Sequence, residues 1–164
     1  MFKVTMLSTL AAALCAVSAE VAASATPVAK LDAGVVQGEI QQDVLAFRGI
    51  PYAAPPVGPL RWKAPAPAIH WTGVRSATAF GAACPQPKLF NDAWARVGPT
   101  NEDCLFLNVW RPKGRQKHLP VMVFFHGGGF SLGSSGIPLY DGAALARRGA
   151  VIVTLNYQIG RAHV

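Results

Sequence analysis

Three consecutive glycines follow directly on an apolar run in this chain: Val121-Met122-Val123-Phe124-Phe125 leads into His126-Gly127-Gly128-Gly129-Phe130. The run is continuous, largely β-branched or aromatic, and begins after Pro120, which predicts a buried strand. Glycine lets the backbone take φ > 0 and lets a ligand come close to the main chain. Successive N–H groups then point into one concavity and stabilise a negatively charged oxygen. The competing reading is a plain glycine turn.

The 164 residues are 51% hydrophobic and only 14% charged, which suits a piece of a larger α/β core better than a complete small protein. Residues 1–25 read as a secretory signal: Lys3 gives a positive start, Val4 to Val17 is apolar, and small residues follow at Ser18-Ala19 and Ala23-Ser24-Ala25. Cleavage is expected after Ala19 or Ala25. A membrane anchor competes with this reading, but the run is short for a span. Cys15 raises a lipoprotein signal, against which Leu14 stands where a small residue is wanted. The expected product is exported, periplasmic or extracellular, with no membrane attachment after cleavage.

Cys84 and Cys104 remain once the signal is removed. In an exported protein two cysteines make a natural pair, whereas zinc would want more ligands nearby. Two unpaired buried thiols are the alternative. A disulfide closing a loop of about twenty residues would stabilise by roughly 3 kcal/mol in the chain-entropy model. The net charge of +7 is thinly spread. Its one run, Arg111, Lys113, Arg115 and Lys117, alternates with proline and glycine in a loop and has neither interleaved aromatics nor a helical face, so no nucleic-acid partner is expected.

Along the chain, Pro27 to Lys30 reads as a short lead. Gly34 to Gly38 and Val44 to Arg48 read as strands joined by a polar turn around Gln41-Gln42-Asp43. Prolines then impose an irregular, surface-lying coil from Gly49 to Trp62. Leu105 to Trp110 reads as a strand. Asp141 to Arg148 reads as a short helix capped by Asp141 and ended by Gly149. Ala150 to Tyr157 reads as another buried strand, central in its sheet and with an exposed edge. Strand, glycine loop, helix and strand give a βαβ-like order.

Phe47 to Trp62, in the pattern F-R-G-I-P-Y-A-x-P-P-x-G-x-L-R-W, resembles the N-terminal signature of the type-B carboxylesterases, the family that includes the cholinesterases. Glu102-Asp103-Cys104-Leu105 is similar to that family's E-D-C-L block, and Val121 to Phe130 to its strand and H-G-G-G-F loop. The blocks stand in family order and carry the resemblance from about Gly34 to Tyr157. It implies an α/β-hydrolase fold, present here as its N-terminal part (residues 26–157). The implied activity is hydrolysis of small-molecule carboxylic esters through an acyl-enzyme, without metal or organic cofactor. The N–H groups of Gly128 and Gly129 would form the oxyanion hole, on a loop that His126 and Gly127 support. The resemblance also favours the Cys84–Cys104 pair, as a loop beside the mouth of the active-site gorge.

Such a hydrolase needs a serine, an acid and a histidine in that chain order. The literal G-x-S-x-G here is Gly129 to Gly133, centred on Ser131. Ser134-Ser135-Gly136-Ile137-Pro138 cannot continue as the helix that a nucleophile elbow requires, so Ser131 is expected to be a decoy. His70 and His118 lie in loops with no acidic partner in the pattern. The triad is therefore expected outside these residues, and the 164-residue chain alone is expected to be inactive. Asn156-Tyr157 matches the family, whereas Ala162-His163-Val164 does not. Ile159 to Val164 back-translate to the start of a common sequencing adapter, so 158–164 are expected to be a non-native tail. The alternative function is a non-catalytic relative that serves in binding or adhesion. A lipase of the hormone-sensitive type, which shares only the H-G-G-G, ranks below both.

Overall fold

A computed structural model of the chain describes residues 26–87 and 96–157. The expected signal segment 1–25, Asn91 and Trp94 of the loop between the cysteines, and the expected tail 158–164 lie outside the described residues. In chain order the elements are β1 (Val28–Leu31), β2 (Gly34–Gln37), β3 (Glu39–Gln41), β4 (Val44–Pro51), β5 (Val74–Ser76), β6 (Phe106–Pro112), β7 (Val121–Phe125), α1 (Ala143–Ala146) and β8 (Val151–Leu155).

Two sheets form. The smaller has the order β1-β2-β5 and the larger β3-β4-β6-β8-β7. In the larger sheet every pair is antiparallel except β7 with β8, which run parallel from Val121↔Val151 to Phe125↔Leu155. Strand β6 shows why it is central. Phe106, Asn108, Trp110 and Pro112 are buried and the residues between them less so, the period of two of a pleated strand. β8 repeats this with Ile152 and Thr154 inward.

Each face of the larger sheet is covered differently. On one, α1 brings Ala146 onto Val44, Ala46, Trp110 and Ile152. On the other, Val36 of the small sheet meets Phe47, Ile50 and Ala77. The result is three layers, small sheet, large sheet and helix, and the chain from β7 through α1 to β8 is a β-loop-α-β crossover. At Arg48–Gly49 the ladder of β4 with β6 shifts register between Phe47 and Ile50. Gly49 takes φ 71°, and its N–H is received by Asn108 Oδ1 at 2.9 Å. A bulge is a place where glycine serves, and here its freed donor is satisfied from the neighbouring strand.

The structure corrects several sequence expectations. Pro27 to Lys30 is not a lead, because the alternation of Val28 to Leu31 pairs it with β2 as β1. The expected hairpin between Gly34–Gly38 and Val44–Arg48 is split. The chain leaves the small sheet at Gly38, and β3 rather than β2 pairs with β4 across a turn at Gln42, whose φ is 54°. Gly49 to Trp62 is free of α-helix, with a 3-10 turn at Gly58–Leu60, but it is neither wholly irregular nor wholly superficial, since Gly49 to Pro51 finish β4 and Ala53 and Ala54 are buried. The helix after Asp141 is one turn long and starts from Gly142, although Asp141 Oδ1 still receives the Ala143 N–H at 2.8 Å.

The largest correction concerns β7, which is exposed along its whole length, from 39% at Phe124 to 64% at Phe125. It pairs with β8 on one side and, among the described residues, with nothing on the other. The free edge therefore belongs to β7, and β8 lies between two neighbours.

Candidate functional site

The parallel strands β7 and β8 end side by side at Phe125 and Leu155. The carboxyl ends of strands are where α/β sheets present ligands, because the loops there converge. Beyond β7, His126 is buried and its ring stacks on Tyr157 at 4.4 Å between centroids, 17° from parallel. Its Nδ1 lies 2.8 Å from the Gly127 carbonyl oxygen. A carbonyl only accepts, so Nδ1 carries a hydrogen. Burial pushes the imidazole below its ordinary 6.5, and the hydrogen bond to Gly127 acts the other way without overcoming it. The Tyr157 hydroxyl donates to the His126 carbonyl at 2.7 Å, so ring and backbone are both held.

From this fixed point the backbone turns left-handed: Gly128 has φ 123°, Gly129 59° and Phe130 57°. At Gly128 a Cβ would collide with the Leu132 carbonyl, so the site demands glycine for space as well as for φ. The Gly128 carbonyl receives the N–H of Ser131 at 3.1 Å and of Leu132 at 3.3 Å, which closes the loop on itself. Among the described residues no partner takes the N–H of Gly128 or Gly129. Two unpaired main-chain donors on a rigid, glycine-only turn are a chemical means of holding an anionic oxygen.

The far end of the loop is bolted down by amides. Gln86 grips Gly133 twice, its Oε1 receiving the Gly133 N–H at 2.7 Å and its Nε2 donating to the Gly133 carbonyl at 2.8 Å. Asn156, buried just past β8, receives the Ser135 N–H at 2.8 Å and the Ser135 hydroxyl at 2.9 Å on Oδ1. Its Nδ2 donates to the carbonyls of Ala82 and Cys104 at 2.9 and 3.0 Å. Asn108, besides capping the bulge, donates to Ser135 Oγ and Thr154 Oγ1 at 3.1 and 3.0 Å. Every polar group of these two asparagine amides is paired, the condition for burying them without loss.

Cys84 and Cys104 are joined, with Cα atoms 5.0 Å apart. The loop they close is also tied by Arg61, whose Nη2 meets both Glu102 carboxylate oxygens at 2.8 and 2.6 Å, linking the proline-rich segment to the E-D-C-L block. Ser131 is exposed and its hydroxyl donates to Gly129 O at 3.1 Å. The next regular structure is a 3-10 turn at Pro138–Tyr140, so Ser131 does not stand at a strand-to-helix elbow. His70 and His118 are exposed loop residues. Among the described residues no group of three or more His, Cys, Asp or Glu is placed to hold a metal, and no helix is long and apolar enough to cross a membrane.

Sequence reasoning brings His126, Gly127, Gly128 and Gly129 into one loop, as the structure does, but misses Gln86, Asn108, Asn156 and the stacking of Tyr157. One signal is present for Asn108. It occupies the inward register of β6 between Phe106 and Trp110, where a polar side chain must have buried partners. Gln86 carries no comparable signal in an irregular loop.

The profile of the Carboxylesterase family matches residues 25–161, a span holding the glycine loop, both cysteines and all the amide anchors. The chain belongs to the carboxylesterase family. It is 49% identical over 128 residues to the fumonisin B1 esterase of Sphingopyxis macrogoltabida, covering 77% of this chain and 23% of that protein. It is 50% identical over 129 residues to the para-nitrobenzyl esterase of Bacillus subtilis (strain 168), covering 77% and 26%. A solved structure of PNB esterase superposes with a TM-score of 0.80 at 43% identity, covering 84% of this chain and 29% of that one. This carboxylesterase-family chain thus spans about a quarter of the length of these curated relatives, and its fold is the N-terminal part of the α/β-hydrolase fold.

Proposed function

We propose that this chain carries the oxyanion-binding side of the active site of an exported serine carboxylesterase acting on small-molecule esters. The carrying observation is the pair of left-handed glycines, Gly128 and Gly129, at the carboxyl end of β7, whose N–H groups have no partner among the described residues. The relatives' names support the reaction class, since both are esterases.

In this reading a serine from the longer protein, activated by a histidine and an acid, attacks the ester carbonyl and expels the alcohol. The oxygen that gains charge moves toward the Gly128 and Gly129 N–H groups and an N–H next to the serine. Water then cleaves the acyl-enzyme. Donors preset in a loop cost no reorganisation at the moment of reaction, and each is typically worth about 100- to 1000-fold in rate. His126 spends its Nδ1–H on the Gly127 carbonyl and so shapes the loop rather than meeting the oxyanion. Ser131, with its hydroxyl given to Gly129, has no part in the chemistry. The 164 residues alone, without the nucleophile, turn over no ester.

The test begins at the source locus, read continuously across codon 157, followed by expression of the frame obtained. The expected result is a downstream G-x-S-x-G, hydrolysis of p-nitrophenyl esters, and phosphonate labelling of that serine and not of Ser131. Gly128→Ala in that protein is expected to lower kcat about 100- to 1000-fold with KM little changed. A full-length protein that neither hydrolyses esters nor takes the label would overturn the reading in favour of binding or adhesion.

A further inference from the structure

The two-point grip of Gln86 on Gly133 crosses between segments of different character. Gln86 stands two residues after Cys84, inside the disulfide-closed loop, and Gly133 ends the glycine loop. The amide presents one acceptor and one donor to one residue's N–H and C=O, at 2.7 and 2.8 Å, as a neighbouring strand would. Two such bonds fix position and rotation together. Nε2 also donates to the Cys84 carbonyl at 3.1 Å, so the side chain is braced against its own backbone. Behind it, Cys84 is bonded to Cys104, whose carbonyl is held by Asn156. The mount is stiff.

What Gln86 holds is equally confined. Gly133 has φ 117°, and a Cβ there would collide with His126 Nδ1 and approach the Gly127 carbonyl at 2.7 Å. Gly133 is thus pressed against the two residues that begin the glycine loop, and its neighbour Leu132 closes the loop on the Gly128 carbonyl. A shift of Gly133 is a shift of the turn that sets the direction of the Gly128 and Gly129 N–H groups.

We infer that Gln86 is a positioning residue for the oxyanion hole, coupling the Cys84–Cys104 loop to the donor turn through Gly133. The inference rests on the functional reading above. Gln86 touches no reacting atom; it acts through the aim of the Gly128 and Gly129 donors. Misplacing a catalytic group by about 1 Å costs up to about 100-fold in rate, whereas ground-state binding of a neutral ester is far less sensitive to it.

The experiment uses the full-length protein and two substitutions. Gln86→Met keeps the length of the side chain and removes both bonds, and it is expected to lower kcat about 10- to 100-fold with KM within about threefold. Gln86→Glu keeps an acceptor, and only its protonated form also has a donor, so only the acid form reproduces the amide's pair of bonds. The ratio of its kcat to that of the wild type should therefore climb as pH falls, while the ratio for Gln86→Met stays flat. Hydrogen exchange should show the Gly133 amide protected in the wild type and released in Gln86→Met. An active wild type whose Gln86→Met variant keeps its kcat, or whose Gln86→Glu variant shows no acid recovery, overturns the positioning role alone. A full-length wild type without esterase activity overturns the functional reading, and the role falls with it.

Discussion

His126 links charge to stability at the scale of one residue. Its folded-state pKa lies below 6.5 because the ring is buried, while the unfolded chain titrates at the ordinary value. The unfolded state therefore binds more protons as pH falls, and stability that is fully present above 6.5 is lost as pH drops through the lower, folded value. The expected outcome is a melting temperature that falls more steeply as pH drops below 6.5 in the wild type than in His126→Gln, whose amide can still donate to Gly127 but does not titrate. Parallel pH profiles for the two proteins would remove His126 from the account. Adjacency to three glycines makes this residue legible in the sequence. Asn156 is legible only as the polar end of an apolar run, because its side-chain bonds reach Ser135, Ala82 and Cys104, brought near by folding alone.

Elements were legible where the pattern is set by local geometry and not where it depends on neighbours. β6 alternates and is found within two residues of its expected span, whereas β1 was hidden by the proline before it, and α1 stops after Ala146 because the N–H groups of Arg148 and Gly149 reach back three residues, to Leu145 and Ala146, instead of four. Between Cys84 and Cys104 the described residues, 85–87 and 96–103, are held by ties to other segments rather than by a named strand or helix. The sequence separation of 20 predicts a contribution of about 3 kcal/mol from the disulfide, by restricting the unfolded chain. Cys84→Ala/Cys104→Ala in the full-length protein should lower the urea midpoint by the equivalent of that amount, and reduction of the wild type should match it. A change below about 1 kcal/mol would mean that Gln86 and the Arg61–Glu102 pair already order the loop without the disulfide, the range ordinary for such ties.

Scale of the whole molecule decides the fate of β7. The opposite edge of the sheet, β3, is three residues long with Glu39 and Gln41 on it, the blunt and polar kind of edge that resists pairing. β7 is the contrary case: five apolar residues, both faces exposed, and, among the described residues, a row of backbone donors and acceptors without a neighbouring strand. Met122 and Phe124 share the helix-side face with Ile152 and Leu145, and Val121, Val123 and Phe125 occupy the other. Read locally, the run signals burial, since a continuous apolar strand is buried on both faces in a parallel sheet. What the run cannot show is which segment supplies the cover. Residues 26–157 expressed alone should therefore self-associate through β7 and bind a hydrophobic dye, with sedimentation showing larger species as concentration rises through tens of μM, roughly the range in which unpaired apolar edges aggregate. Val123→Lys places a charge in the middle of that edge and should shift the population toward monomer without changing the far-UV circular dichroism. A wild-type segment that stays monomeric and dye-free across the same range would show that β7 is covered in solution by the segment itself, and the three-layer description would need a fourth element over that strand.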